Sequence, residues 1–184
     1  MKSKLFFKQG KNFLSKENKI FIEKTVFGNM FGWFLSDVTA DKTSETSAPF
    51  LSHTVLKRLD EHPIEKCITS NCYKDTLHIL HNFCKSINER PNLFLRINYN
   101  LTFSVTQKKP FIHTDHSCID YKQIIIYLND VTDKKATTCI LDENKKVVKE
   151  IIPEKYKGVC FGRNLHYGNY PKENARIILV ATYI

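Results

Sequence analysis

The run Leu93-Phe94-Leu95-Arg96-Ile97-Asn98-Tyr99-Asn100-Leu101-Thr102-Phe103 changes step at every residue: Leu93, Leu95, Ile97, Tyr99, Leu101 and Phe103 alternate with polar or outward positions. A period of two belongs to a β-strand, whose successive side chains leave on opposite faces. Downstream, further strand-like runs follow at 110–116, 121–128, 137–142, 146–152, 158–162 and 175–183. They are short, rich in Ile, Val, Thr, Tyr and Phe, and punctuated by turn residues such as Asp142-Glu143-Asn144 and Lys157-Gly158. Upstream the period is helical. From Ser15 to Phe34, Ile20, Phe21, Phe27 and Phe31 recur at three- and four-residue steps, with Ser15 as N-cap and a break near Gly28. Residues 36–49, rich in Ser, Thr, Asp and Ala and closed by Pro49, read as a loop. A second helix is expected from about Lys74 to Glu89, with Leu77, Leu80, Cys84 and Ile87 on one face and Pro91 as its stop. Helices first and seven or eight short strands afterwards predict an α+β protein. Its helices support an all-β core, and a two-sheet jelly roll is the natural arrangement of so many short strands.

The bulk properties fit that plan. A chain of 184 residues, 42% hydrophobic and 26% charged, accommodates one domain over 1–184, with a helical part about 1–92 and a β core about 93–184. No apolar run reaches membrane-spanning length, and Lys8, Gln9 and Lys11 interrupt the apolar residues of Met1–Phe13, so no signal peptide is expected. Six cysteines without a CxxC pair read as reduced, mostly buried thiols of a cytoplasmic protein. The net charge of +9 is compatible with an acidic or nucleic-acid partner, but the lysines are dispersed and no recognition motif accompanies them.

Chemistry concentrates in Phe111-Ile112-His113-Thr114-Asp115-His116. In a strand, positions 113 and 115 share a face, so an imidazole and a carboxylate converge. After Asp115 by 51 residues, Cys160-Phe161-Gly162-Arg163-Asn164-Leu165-His166 brings a second histidine. Two imidazoles and one carboxylate hold ferrous iron on one face and leave positions open for a co-substrate and O2. Ten residues further, Arg176 opens the apolar run Arg176-Ile177-Ile178-Leu179-Val180 with no acidic neighbour inside it. A buried guanidinium needs an anion, supplied by a bound dicarboxylate or by Asp or Glu from elsewhere in the chain.

On these pieces, residues 93–184 resemble the 2-oxoglutarate/Fe(II) dioxygenase superfamily, in its prolyl-hydroxylase-like branch and small phage-encoded members. The matching pieces are Leu95-Arg96-Ile97-Asn98-Tyr99, His113-Thr114-Asp115, Ile126-Tyr127-Leu128-Asn129, Ile152-Pro153, Val159-Cys160-Phe161, His166 and Arg176. The resemblance implies a double-stranded β-helix. It implies an Fe(II) site of His113, Asp115 and His166, and 2-oxoglutarate held at its distal carboxylate by Arg176 and Tyr127, with Tyr99 lining the pocket. The implied reaction is hydroxylation of a C–H bond with formation of succinate and CO2. The substrate class stays open among a peptidyl residue, an amino acid, a nucleobase and a small metabolite. The chain departs from the pattern at Lys135-Ala136-Thr137-Thr138, where many relatives carry a Gly-Gly step, and at Ile178 and Val180, where a hydroxyl residue is common.

Two other readings compete. A nucleic-acid demethylase of the same fold carries a second arginine six positions after the first, where this chain has Thr182. A cupin-like metal-binding β-barrel without oxygenase turnover gathers several histidines and a glutamate on glycine-rich strands, a pattern absent here. Secondary candidates are His53 over the pocket, His116 beside the triad, and Arg163, Tyr167 and Tyr170 around the distal histidine. Trp33 reads as core, and His78 and His81 as helix surface.

Overall fold

The computed structural model describes residues 5–36, 48–59, 66–105 and 110–184. Its described elements are β1 (Phe7–Gly10), α1 (Lys16–Phe21), a π-helical turn (Ile22–Val26), β2 (Phe34–Ser36), β3 (Phe50–Leu56), α2 (Tyr73–Ser86), β4 (Phe94–Thr102), β5 (Lys122–Tyr127), β6 (Thr138–Leu141), β7 (Val147–Ile151), β8 (Gly158–Phe161), β9 (His166–Gly168) and β10 (Arg176–Tyr183). They form a seven-stranded sheet in the order β1-β8-β5-β10-β4-β3-β2 and a three-stranded sheet in the order β7-β6-β9. All neighbouring pairs are antiparallel. This is the expected α+β jelly roll.

The two faces of the large sheet separate core from site. Odd residues of β4 (Leu95, Ile97, Tyr99) and Ile124 and Ile126 of β5 turn toward the helices. There Ile97, Tyr99, Ile124 and Ile126 join Ile79, Leu80, Phe83 and Cys84 of α2 in the larger hydrophobic core. The approach is close enough that a side chain at Gly158 would collide with the Phe83 ring. A smaller core of Ile125, Tyr127, Ile140, Val159, Phe161, Ile178 and Val180 fills the space between the two sheets.

Local chemistry fixes the helix ends. Ser15 Oγ accepts from the Asn18 amide at 3.2 Å, and Asn18 Oδ1 accepts from the Ser15 amide at 3.2 Å, a reciprocal capping box. The first helix is shorter than the periodicity predicts. It passes into the π-helical turn and has ended before Gly28, where a Cβ would strike the Lys24 carbonyl. α2 stops before Pro91 is reached: Asn88 adopts φ 54°, Glu89 N donates to Cys84 O at 2.8 Å, and Asn88 N donates to Lys85 O at 3.2 Å.

Two differences from the expectations stand out. The N-terminal part contributes β1, β2 and β3 to the large sheet in addition to the helices. Residues 110–116 are irregular, and only one bridge, His113 to His166, joins them to the small sheet. Of the expected loop 36–49, positions 37–47 lie outside the described residues, as do 106–109. All six cysteines but Cys118 are buried, as expected of most of them. No helix among the described residues is long and apolar enough to cross a membrane.

Candidate metal centre and carboxylate pocket

β9 begins at His166, and the 113 segment is sewn to it by paired backbone bonds, His113 N to His166 O and His166 N to His113 O, both 3.0 Å. This pairing sets the two rings 4.5 Å apart, centroid to centroid. Asp115 lies on the same side, and one ligand atom from each of His113, Asp115 and His166 falls within 4.8 Å of the others. The sequence argument placed residues 113 and 115 on one strand face; the bridge and the following bend deliver the same convergence without a continuous strand.

Hydrogen bonds preset each ligand. His113 Nδ1 lies 3.1 Å from Phe111 O, and His166 Nδ1 lies 3.0 Å from Asn164 O. A carbonyl only accepts, so each Nδ1 is committed as a donor and Nε2 is the ring nitrogen left for a metal. Burial, with His113 nearby, lowers the His166 pKa to about 4, so the ring is neutral near pH 7. Its 3.6 Å approach to Asp115 Oδ2 is therefore not an ion pair.

The Asp115 carboxylate is 6% exposed. Burial pushes its pKa up, but the Arg96 guanidinium, with Arg58 behind it, outweighs that and holds it at about 2. Arg96 Nη1 sits 2.7 Å from Oδ1, Arg58 donates to the Asp115 carbonyl, and Tyr121 Oη accepts from the Asp115 amide at 2.6 Å. Oδ2 is buried with no hydrogen-bond partner. Two imidazole nitrogens and one orphaned carboxylate oxygen, converging within 4.8 Å, fit a divalent cation: without one, the carboxylate oxygen carries an unmet desolvation cost.

The triad opens into a cavity of about 340 Å³, also lined by Arg96, Gln123, Ile125, Thr138, Ile178, Val180 and Arg176. Arg176 is 4% exposed. Its Nη1 donates to the carbonyls of Ala136 at 2.9 Å and Asn169 at 3.1 Å, and its Nε has no hydrogen-bond partner. No ion pair to Arg176 occurs among the described residues, and burial lowers its pKa. The chain thus leaves a buried guanidinium facing a cavity with neutral partners only, a position that an incoming carboxylate matches. The guanidinium closely approaches Gly168, where a Cβ would stand 2.6 Å from Nη2.

Tyr127 is fully buried beside this end, its hydroxyl donating to Thr138 Oγ1 at 2.8 Å, so it meets the cavity through Thr138. Tyr99 departs from expectation. It lies on the helix-facing side of β4, its hydroxyl 2.9 Å from Thr76 Oγ1 of α2 and its ring against Phe31. The cavity face of β4 carries the even residues Arg96, Asn100 and Thr102 instead. Tyr99 is core, and its assignment to the pocket is corrected.

The remaining candidates separate cleanly. Tyr167 and Tyr170 line the cavity. His116 is buried, 2.8 Å from Thr182 Oγ1 and edge-on to Tyr121. His53 stacks on Phe31 at 4.1 Å between Gly32 O and Ser70 Oγ, so it packs an element rather than covering the pocket. His78 bonds Asn18, and Arg163 donates to the Ser117 carbonyl. Arg58, Arg96 and Gln123 were not singled out by sequence reasoning. For Arg96 the signal was available: a charged residue repeating in phase with Asn98, Asn100 and Thr102 on one face of β4.

No protein-family model matches this sequence, and no curated protein matches it. Solved structures do. A 2OG-Fe(II) oxygenase family oxidoreductase from Burkholderia pseudomallei superposes with a TM-score of 0.63 at 12% identity, covering 91% of this chain and 89% of its own. A Pseudomonas putida prolyl-4-hydroxylase gives 0.61 at 11% identity over 96% and 91% of the two chains. A Trichoplax adhaerens prolyl hydroxylase, solved in complex with a hypoxia inducible factor oxygen degradation domain peptide, gives 0.61 at 15% identity over 97% and 83%. In architecture, therefore, the chain has the jelly-roll fold of the 2OG-Fe(II) oxygenases.

Proposed function

We propose that this chain is an Fe(II)- and 2-oxoglutarate-dependent dioxygenase that hydroxylates its substrate. The observation that carries the reading is the pairing of two features in one cavity: the converging ligand atoms of His113, Asp115 and His166, and a buried Arg176 whose described partners are all neutral. A metal-binding barrel without 2-oxoglutarate chemistry has no use for the second feature.

In this reading His113, His166 and Asp115 would hold the iron, and Arg96, paired to Asp115 Oδ1 at 2.7 Å, fixes the carboxylate. Iron with 2-oxoglutarate supplies activation of O2, coupling oxidative decarboxylation to succinate and CO2 with oxygen insertion into a C–H bond. Arg176 pairs the distal carboxylate of 2-oxoglutarate, and Tyr127 braces that end through Thr138. Ile125, Ile178 and Val180 form an apolar wall that keeps water from the reacting atoms. Prolyl hydroxylases among the structural neighbours support a peptidyl residue as substrate class, alongside amino acids, nucleobases and small metabolites.

The test is anaerobic addition of Fe(II), with and without 2-oxoglutarate, to purified protein. A weak visible charge-transfer band that requires both components, and that is lost in His166→Ala and Asp115→Ala, supports the reading. Folded protein that binds iron without giving the band refutes it in favour of a metal-binding barrel. Folded protein that binds no iron refutes the metal centre itself.

A further inference from the structure

Gln123 projects from β5 into the metal end of the cavity, level with Phe161 on one neighbouring strand and Thr182 on the other. It is 2% exposed. Its Nε2 lies 3.4 Å from His166 Nε2, and its Oε1 is buried with no hydrogen-bond partner. The orientation of the amide follows from the histidine. Because His166 Nδ1 carries the proton, Nε2 accepts, and Gln123 turns its NH2 toward it. At 3.4 Å this is a weak bond, and it uses the very lone pair that the proposed metal requires.

Metal binding at His166 therefore strips Gln123 of its acceptor and leaves a buried, cavity-lining amide with both ends unmatched. Such a group is costly if nothing replaces the bond. The amide N–H, aimed at His166 Nε2, would then be free to donate to an oxygen of a group bound beside His166. We infer that Gln123 is a co-substrate-binding residue, its side-chain amide donating to the metal-bound carboxylate of the 2-oxo acid while Arg176 holds the opposite end. The inference rests on the 2-oxoglutarate reading proposed above. It makes the pocket two-ended: an amide that reads the chelating carboxylate and a guanidinium that reads the distal one.

The experiment measures Fe(II) affinity and then 2-oxoglutarate affinity of the Fe(II)-loaded protein, anaerobically, by titrating the visible band. Wild type, Gln123→Leu and Gln123→Glu are compared, with thermal melts to verify folding. Loss of a hydrogen bond to a charged group predicts a 2-oxoglutarate Kd raised about 10- to 100-fold in Gln123→Leu, with Fe(II) Kd changed by less than about twofold. Gln123→Glu keeps the shape but sets a carboxylate against the bound one, so it weakens 2-oxoglutarate at least as much. An unchanged 2-oxoglutarate Kd in Gln123→Leu overturns the inference while leaving the oxygenase reading intact. Equal loss of Fe(II) binding and of folding in both variants makes Gln123 a structural residue and also overturns it. Absence of the band in wild type refutes the underlying reading instead.

Discussion

Gly168→Ala tests the carboxylate pocket without touching any charged group. The new Cβ would stand 2.6 Å from Arg176 Nη2 and 3.3 Å from both Cζ and Nη1. Ordinary carbon contacts begin near about 3.5 Å, so the guanidinium has to retreat by about 1 Å at its tightest point. It has little room to do so, because Nη1 is tied to the carbonyls of Ala136 and Asn169 at 2.9 and 3.1 Å. A shift of that size takes those bonds out of range and misaligns the face offered to a carboxylate. Overpacking of this kind costs about 1–3 kcal/mol of stability. Losing a charge-assisted hydrogen bond of about 1.5–3 kcal/mol weakens 2-oxoglutarate about 10- to 150-fold. The assay pairs urea unfolding with anaerobic 2-oxoglutarate titration of the Fe(II)-loaded variant. Wild-type 2-oxoglutarate affinity in folded Gly168→Ala would refute the claim that Arg176, fixed against Gly168, is the distal anchor.

Two further predictions test other parts of the structure. Tyr99→Phe removes only the bond to Thr76, so it lowers unfolding free energy by about 0.5–1.5 kcal/mol and leaves Fe(II) and 2-oxoglutarate affinities unchanged; a drop in either affinity would return Tyr99 to the pocket. Glu89 is opposed by burial but held at a pKa of about 2 by bonds from Lys122, Lys8 and Tyr183, below its ordinary 4.5. Its stabilisation is complete above the unfolded-state value and is lost as pH falls from about 4.5 toward 2, so wild type loses up to about 3 kcal/mol more than Glu89→Gln across that window. Parallel stability curves for the two proteins below pH 5 would contradict this.

Much of the architecture was legible because it follows from periodicity. The strands at 94–102, 122–127, 138–141, 147–151, 158–161 and 176–183 each fall inside a run with β-branched and aromatic composition; Ser15 was legible as an N-cap, and of the α2 face Leu80 and Cys84 were legible but the buried Ile79 and Phe83 were not. β1, β2 and β9 escaped because, unlike the equally short but wholly buried β6 and β8, they are partly exposed and carry no continuous apolar run. Phe50–Leu56 escaped because it follows a polar segment that reads as loop. Segment 110–116 composed like a strand yet joins the small sheet at one bridge, since pairing is decided by the partner's geometry rather than by propensity.

By itself, the sequence determined which groups had to meet. Two histidines, an aspartate and an arginine in an apolar strand are costly burials whose only economical use is shared, so their chemistry pointed to one pocket. What it left open was the side of the sheet on which that pocket lies. Alternation in β4 marks two faces and does not say which is interior. The resemblance put Tyr99 in the site, whereas the helices cover the apolar face that carries it and the gap between the sheets takes Arg96, Asn100 and Thr102. Only the tertiary structure decided this, because whether a sheet face meets helices or a ligand cavity depends on long-range packing of both layers, and no local residue pattern encodes that contact. For the same reason Gln123, Arg96 and Gly168 came to light only when strands distant in sequence brought them against His166, Asp115 and Arg176.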